Sequence, residues 1–206
     1  MSFLSAEKIS AGYGGHPILA DVSFQLEQGC MMGILGANGC GKTTLLKTIC
    51  RILPHKGTCL LEQAVLEQLS ARRMARLVGY IPQRSGISID ISVLDVVLMG
   101  FNPRLGLLER PGRKMQDLAA QALEQVGLGG REQSNYLCLS EGQKQLCILA
   151  RTLVSGSRLL LLDEPESALD FRYRHRMFNL LKAWVAQEKR AVVVTLHDPS
   201  LALHFC

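Results

Sequence analysis

No stretch of this chain approaches the ~20 consecutive apolar residues that a membrane-spanning helix needs. The N-terminus, Met1-Ser2-Phe3-Leu4, lacks the basic region and apolar run of a signal peptide. If the protein moves solutes, another chain is expected to form the channel. Cysteine is present without pattern. Cys30, Cys40, Cys50, Cys59, Cys138, Cys147 and Cys206 make an odd count, and no pair has C-x-x-C spacing. Neither a disulfide framework nor a zinc site is signalled. Most of these thiols are expected to be small buried hydrophobes in a reducing cytosol. Aromatics are scarce, and no internal repeat or low-complexity linker interrupts the chain. The net charge of +5 is mild. The densest basic stretch, Arg172 to Arg176, reads as the solvated face of a helix, so no nucleic-acid partner is expected.

What is present is an ordinary globular composition over 206 residues, enough for one domain with a small inserted subdomain. Phe3 to Ala11 and Ile18 to Glu27 read as strands flanking a Gly14-Gly15-His16-Pro17 turn. Met31 to Leu35 is a short apolar run. A glycine-rich loop and a helix over Lys42 to Arg51 follow it. Leu77 to Pro82 is another apolar run. Ser88 to Ser155 is mostly helical in pattern: Ser92 with Asp95 resembles an N-terminal cap, and Lys114 to Val126 keeps helical spacing until Gly127. Leu159 to Leu162 and Ala191 to Leu196 are fully apolar strands around a helix over Phe171 to Gln187. Short apolar strands alternating with helices predict a parallel sheet covered on both faces, split by a helical insertion.

Three local patterns carry chemistry. Gly36-Ala37-Asn38-Gly39-Cys40-Gly41-Lys42-Thr43, with Thr44 behind it, matches the phosphate-binding P-loop between a strand and a helix. Glycines let the backbone wrap phosphates without a Cβ clash, and the amides of Gly39 to Thr44 together with the helix N-terminus attract an anion. Lys42 is placed to neutralise β- and γ-phosphates and the Thr43 hydroxyl to ligate Mg²⁺. Cys40 fills a free position of the pattern, within the loop that touches nucleotide. The bland alternative is a glycine-rich turn. The second pattern is Leu159 to Leu162 followed by Asp163-Glu164-Pro165. It delivers two acids at the C-terminal end of a buried strand, where ligands bind in open parallel sheets. Asp163 can hold Mg²⁺, and Glu164 can act as general base. The alternative is a strand end that merely caps the next element. The third is Leu139-Ser140-Glu141-Gly142-Gln143, a capping box opening a helix. It reads either as a well-capped helix or as an anion-binding helix end.

In this order the patterns resemble the ABC-type ATPases over nearly the whole chain. Leu139 to Gln143 is similar to their signature motif, usually written L-S-G-G-Q. The resemblance implies a P-loop NTPase fold: a mostly parallel sheet with helices on both faces, an N-terminal antiparallel β subdomain and an inserted helical subdomain. Residues 1–87 and 156–206 would form the core with the β subdomain, and 88–155 the helical subdomain carrying the signature motif. It implies that Tyr13 stacks on adenine, that Gln83 contacts Mg²⁺ and senses the membrane partner, and that Ser167 to Asp170 is the D-loop. His197 would contact the γ-phosphate. Two copies would sandwich two ATP molecules, with Ser140, Gly142 and Gln143 acting on the nucleotide of the partner copy.

Two departures stand out. Glu141 replaces the first signature glycine and places a carboxylate near ATP, repulsive unless it points away or meets a cation. The chain also stops a few residues past His197, so the C-terminal strands of the family are expected to be missing, which would leave a sheet edge and apolar surface exposed.

The segment Asp95 to Gly112, with Pro103-Arg104-Leu105-Gly106-Leu107, resembles importers of metal chelates such as iron-siderophores, haem and cobalamin. Leu196-His197-Asp198-Pro199 fits the same group. Membrane permease subunits, a substrate-binding protein and a peripheral position on the inner face of the cell membrane are then implied. Three alternatives stay open: another ABC system, for molybdate, zinc, manganese or lipid; a non-transport ABC ATPase such as an iron-sulfur assembly scaffold; or a regulatory module that no longer hydrolyses ATP.

Overall fold

Period-two alternation in the apolar strands decides the layers. In the computed structural model, which describes residues 2–106, 108–187 and 189–206, β3 (Met31–Leu35), β6 (Val78–Ile81), β7 (Leu159–Asp163) and β8 (Ala191–Leu196) form a parallel sheet in the order β3-β8-β7-β6. Leu160, Leu162, Val192, Val194 and Leu196 point to one face, Leu159, Leu161, Ala191 and Val193 to the other, and all are buried. A strand covered on both faces reads as nearly continuously apolar, which is why the two runs carry no polar alternation and Thr195 is the one polar side chain between Leu159 and Leu162 or Ala191 and Leu196.

The first face shares one core with α3 (Val93–Leu98), α4 (Arg113–Val126), α5 (Glu141–Val154), α6 (Phe171–Val185) and α7 (Pro199–Phe205). The second packs against α1 (Lys42–Ile49), α2 (Ala71–Leu77) and an antiparallel sheet ordered β2-β1-β4-β5. That sheet comprises β1 (Leu4–Tyr13), β2 (His16–Leu26), β4 (His55–Leu61) and β5 (Ala64–Val65). The helices over residues 93–154 pack mainly on one another and on β6, through Val96, Val97, Leu123, Leu146 and Ile148.

The strand and helix positions follow the sequence reading closely, with four additions: β4, β5, α2 and α7. Their absence from that reading has a physical reason. α2 carries three arginines in seven residues and buries only Met74, so it shows no apolar period. Its definition comes from the Ser70 cap, which accepts from the Arg73 amide. β4 mixes histidine, lysine and glycine with its apolar residues and is held by pairing with β1. At the hairpin, the turn is Gly14-Gly15 alone, and His16 and Pro17 already belong to β2. Leu107, the last residue of the importer-like Pro103 to Leu107 stretch, lies outside the described residues, as do Met1 and Glu188. No helix among the described residues is long and apolar enough to cross a membrane.

Candidate nucleotide site

The loop from Gly36 to Gly41 leaves the C-terminal end of β3 and turns into α1. Gly41 caps that helix at φ +104° with no side-chain cap, so the first-turn amides are left for a ligand rather than for a serine or aspartate oxygen. A Cβ at Gly41 would also meet Leu19 Cδ2 at 2.9 Å. The turn therefore needs glycine for both its backbone angle and its space.

Lys42 is buried and runs back over its own loop, donating to the Gly36 carbonyl at 2.7 Å and the Ala37 carbonyl at 3.3 Å. Its ammonium stands 3.5 Å from Glu164 Oε1. Thr43 Oγ1 donates to Asp163 Oδ1 at 3.0 Å. Thr195 Oγ1 donates to the same oxygen at 3.0 Å, and the Tyr80 phenol donates to Asp163 Oδ2 at 3.4 Å. Burial, with the Asp163 carboxylate beside it, pushes the Tyr80 phenol up, so it stays a neutral donor.

Glu164 takes a left-handed backbone at φ 48° and is the hub of the acidic end. Gln83 Nε2 donates to its Oε2 at 2.9 Å, and His197 Nε2 lies 2.7 Å from the same oxygen. The Glu164 amide donates to Thr195 Oγ1 at 2.9 Å. A cavity of about 470 Å³ opens over these groups, lined by Ile18, Asn38, Gly39, Gly41, Lys42, Thr43, Thr44, Gln83, Glu164 and His197. Lys42, Thr43, Gln83, Asp163, Glu164 and His197 are thus brought together.

Other expected residues sit elsewhere. Tyr13 ends β1, partly exposed at the hairpin, and does not line this cavity; Ile18 from β2 does. Gly36 contributes its carbonyl to Lys42, and the Cys40 amide donates to the Ala37 carbonyl at 3.3 Å. Ser140, Gly142 and Gln143 open α5 away from the cavity of their own chain. The capping box is complete: the Gln143 amide donates to Ser140 Oγ at 3.3 Å and the Ser140 amide to Gln143 Oε1 at 3.1 Å. Gly142 faces the Ala168 carbonyl, which a Cβ would approach to 2.8 Å, so the signature helix leans on Ser167 to Asp170. Glu141 meets a cation, Lys144 Nζ at 2.7 Å.

Sequence reasoning missed Thr195, Tyr80, Glu166 and Ile18. The first two orient Asp163. Glu166 Oε1 accepts from the His197 amide at 3.1 Å and holds that residue's backbone. Burial raises the Glu166 carboxyl above its usual range. A lone threonine, tyrosine or isoleucine inside an apolar strand gives no sequence signal of this kind.

The chemistry available is that of a nucleotide phosphate chain met by one lysine, a glycine-rich amide cradle, a cluster of oxygen donors and a carboxylate flanked by an amide and an imidazole. The comparisons agree. Residues 19–167 match the family described as ABC transporter. The chain is 37% identical to the hemin import ATP-binding protein HmuV of Bordetella pertussis strain Tohama I, covering 98% of this chain and 80% of that protein. It is 35% identical to a Helicobacter pylori strain 26695 protein named for iron chelatin transport, covering 96% and 78%. It also superposes with a TM-score of 0.84, at 30% identity, on a structure described as an inward-facing conformation of a metal-chelate type ABC transporter, covering 100% and 78%. The chain belongs to the ABC transporter family, as its ATP-binding, ATP-hydrolysing component.

Proposed function

We propose that this ATPase energises import of a metal chelate of the hemin, siderophore or cobalamin class. The observation that carries the reading is the convergence of Lys42, Thr43, Gln83, Glu164 and His197 on one cavity. It occurs in a chain whose similarity to hemin and iron-chelate ATPases covers 98% and 96% of its length, and 80% and 78% of theirs.

In this reading the Gly39 to Thr44 amides and Lys42 hold the phosphate chain, and Tyr13 stacks on the base. Thr43 Oγ1, an Asp163 oxygen and the Gln83 amide oxygen form a hard, all-oxygen donor set that suits Mg²⁺. An Mg²⁺ ion held by these residues would supply positive charge to offset that of the phosphate chain. Glu164 takes the proton of the attacking water or orients it. His197 holds the γ-phosphate from the other side. Glu164 is engaged by Lys42, Gln83 and His197 at 2.7–3.5 Å. Phosphate competes for Lys42 and His197 and frees the carboxylate for water.

Ser140, Gly142 and Gln143 face away from their own cavity, which supports closure by a second copy in the ATP state. Residues 88–155 act as the helical subdomain, and Asp95 to Gly112 meets permease subunits at the inner face of the membrane. A substrate-binding protein delivers the chelate to that permease.

The test is co-purification with a polytopic partner. ATPase of the reconstituted complex is then measured with and without chelate-loaded binding protein, with Glu164→Gln as control. Chelate-stimulated turnover lost in the variant supports the reading. A purified complex indifferent to hemin, siderophore and cobalamin alike overturns the cargo class.

A further inference from the structure

The antiparallel sheet brings together three side chains that the nucleotide chemistry does not use. His55 and Cys59 lie four residues apart on β4 and therefore share a face of the strand. The chain leaves β4, returns through β5 and makes a 3₁₀ turn at Leu66–Gln68, which presents Glu67 to that face. Ligating atoms of His55, Cys59 and Glu67 all lie within 4.8 Å of one another. His55 Nε2 is 2.8 Å from Glu67 Oε1, and the same oxygen accepts from the Cys59 amide at 3.0 Å.

An ion pair between His55 and Glu67 accounts for Oε1 only. Glu67 Oε2 is shielded from water and has no hydrogen-bond partner among the described residues. The Arg51 guanidinium is turned to the carbonyls of Leu66 and Leu69. A buried carboxylate oxygen without a donor is unfavourable. A cation shared with the imidazole and the thiol relieves it.

We propose that His55, Cys59 and Glu67 bind a divalent transition-metal ion of the Zn²⁺ class, at a site separate from the nucleotide cavity. A nitrogen, sulfur and oxygen set is what Zn²⁺ selects, and three protein ligands leave a fourth position for water. Ligands ~2.0–2.3 Å from one ion stand roughly 3.3–3.8 Å apart. The short His55–Glu67 contact must open and the longest edge must close, adjustments within side-chain reach. The Cys59 thiol proton leaves to solvent as the metal binds. The Cys59 amide already fixes the carboxylate from behind, in the manner of an outer-shell partner. His55 also lines an open cleft of about 550 Å³ beside the β1–β2 hairpin, which gives the ion a route in.

The test uses the full chain stripped with a chelator and titrated with Co²⁺, read by the thiolate-to-metal charge-transfer band, then with Zn²⁺ in competition. One equivalent is expected to bind, and Zn²⁺ is expected to displace Co²⁺. Cys59→Ser should abolish the band. Glu67→Gln, which keeps shape and one acceptor oxygen, should weaken Co²⁺ at least tenfold, on the order of a lost ligand-sphere contact. Cys30→Ser and Cys138→Ser, at exposed thiols, should titrate like wild type. Absence of the band at saturating Co²⁺, or Glu67→Gln titrating like wild type, overturns the proposal. Should Cys59→Ser fail to fold, the Glu67→Gln titration decides alone.

Discussion

Thr43 and Asp163 stand 120 residues apart in the chain, yet the Thr43 hydroxyl donates to Asp163 Oδ1 at 3.0 Å. The bond spans from the start of α1 to the C-terminal end of β7. In the proposed reading, these two side chains would together hold Mg²⁺. Asp163→Asn keeps the shape and the acceptor but removes the charge. Mg²⁺-ATP affinity is expected to fall at least tenfold, while metal-free ATP binds as before. Fluorescent-nucleotide titration with and without Mg²⁺ measures both, and an equal loss in the two conditions would contradict the assignment.

Glu164→Gln is expected to lower ATP turnover by about 10²–10⁴-fold. Nucleotide affinity should be kept or tightened, because Lys42 then loses the carboxylate that stands 3.5 Å away. Steady-state phosphate release and equilibrium binding on the same preparation separate the two effects. Loss of binding together with turnover would mean that Glu164 holds the site together rather than acting on water.

Glu166 gives a pH signature. Burial, the largest cause, holds its carboxyl above the ordinary value, against hydrogen bonds from its own amide and that of His197. The folded state therefore binds this proton more tightly than the unfolded chain. The corresponding stability is present at acid pH and lost as pH rises through the folded value. Glu166→Gln keeps the acceptor for the His197 amide and removes the titration. The variant should match wild type at acid pH and exceed it at neutral pH in urea midpoint. Parallel midpoint curves across that range would disprove the account.

Leu161 is fully buried on the face of β7 that meets α1 and the antiparallel sheet. Leu161→Ala should cost about 2–5 kcal/mol, the transfer of the side chain plus the cavity left in a rigid sheet. Urea unfolding monitored by the single tryptophan gives the value. A cost under about 1 kcal/mol would show that the layer repacks.

The departure at Glu141 should matter little for folding. Its side chain is 69% exposed and pairs with Lys144 at the surface. Glu141→Ala is expected to move stability by less than about 1 kcal/mol. Ser140→Ala removes the cap oxygen and should cost about 1 kcal/mol. The comparison is made by urea unfolding of both variants, and a larger loss at Glu141 than at Ser140 would reverse this order.

The sequence alone determined the P-loop, the acidic end of β7 and the capped start of α5. Each is written in adjacent residues: glycines that permit a tight loop, an apolar run ending in two acids, a serine three places before a glutamine. The two strands buried on both faces were legible for the same reason, because four leucines in β7 and the valines of β8 make short apolar runs. Only the tertiary structure decided what meets Asp163. The strand order β3-β8-β7-β6 sets β7 between β8 and β6, and so delivers Thr195 from one neighbour and Tyr80 from the other to its carboxylate. The same holds for Ile18 at the mouth of the cavity and for Glu67 beside His55 and Cys59. Spacing along the chain carries no trace of these meetings, since strand pairing and the return of the β4–β5 hairpin, not sequence separation, place the side chains side by side.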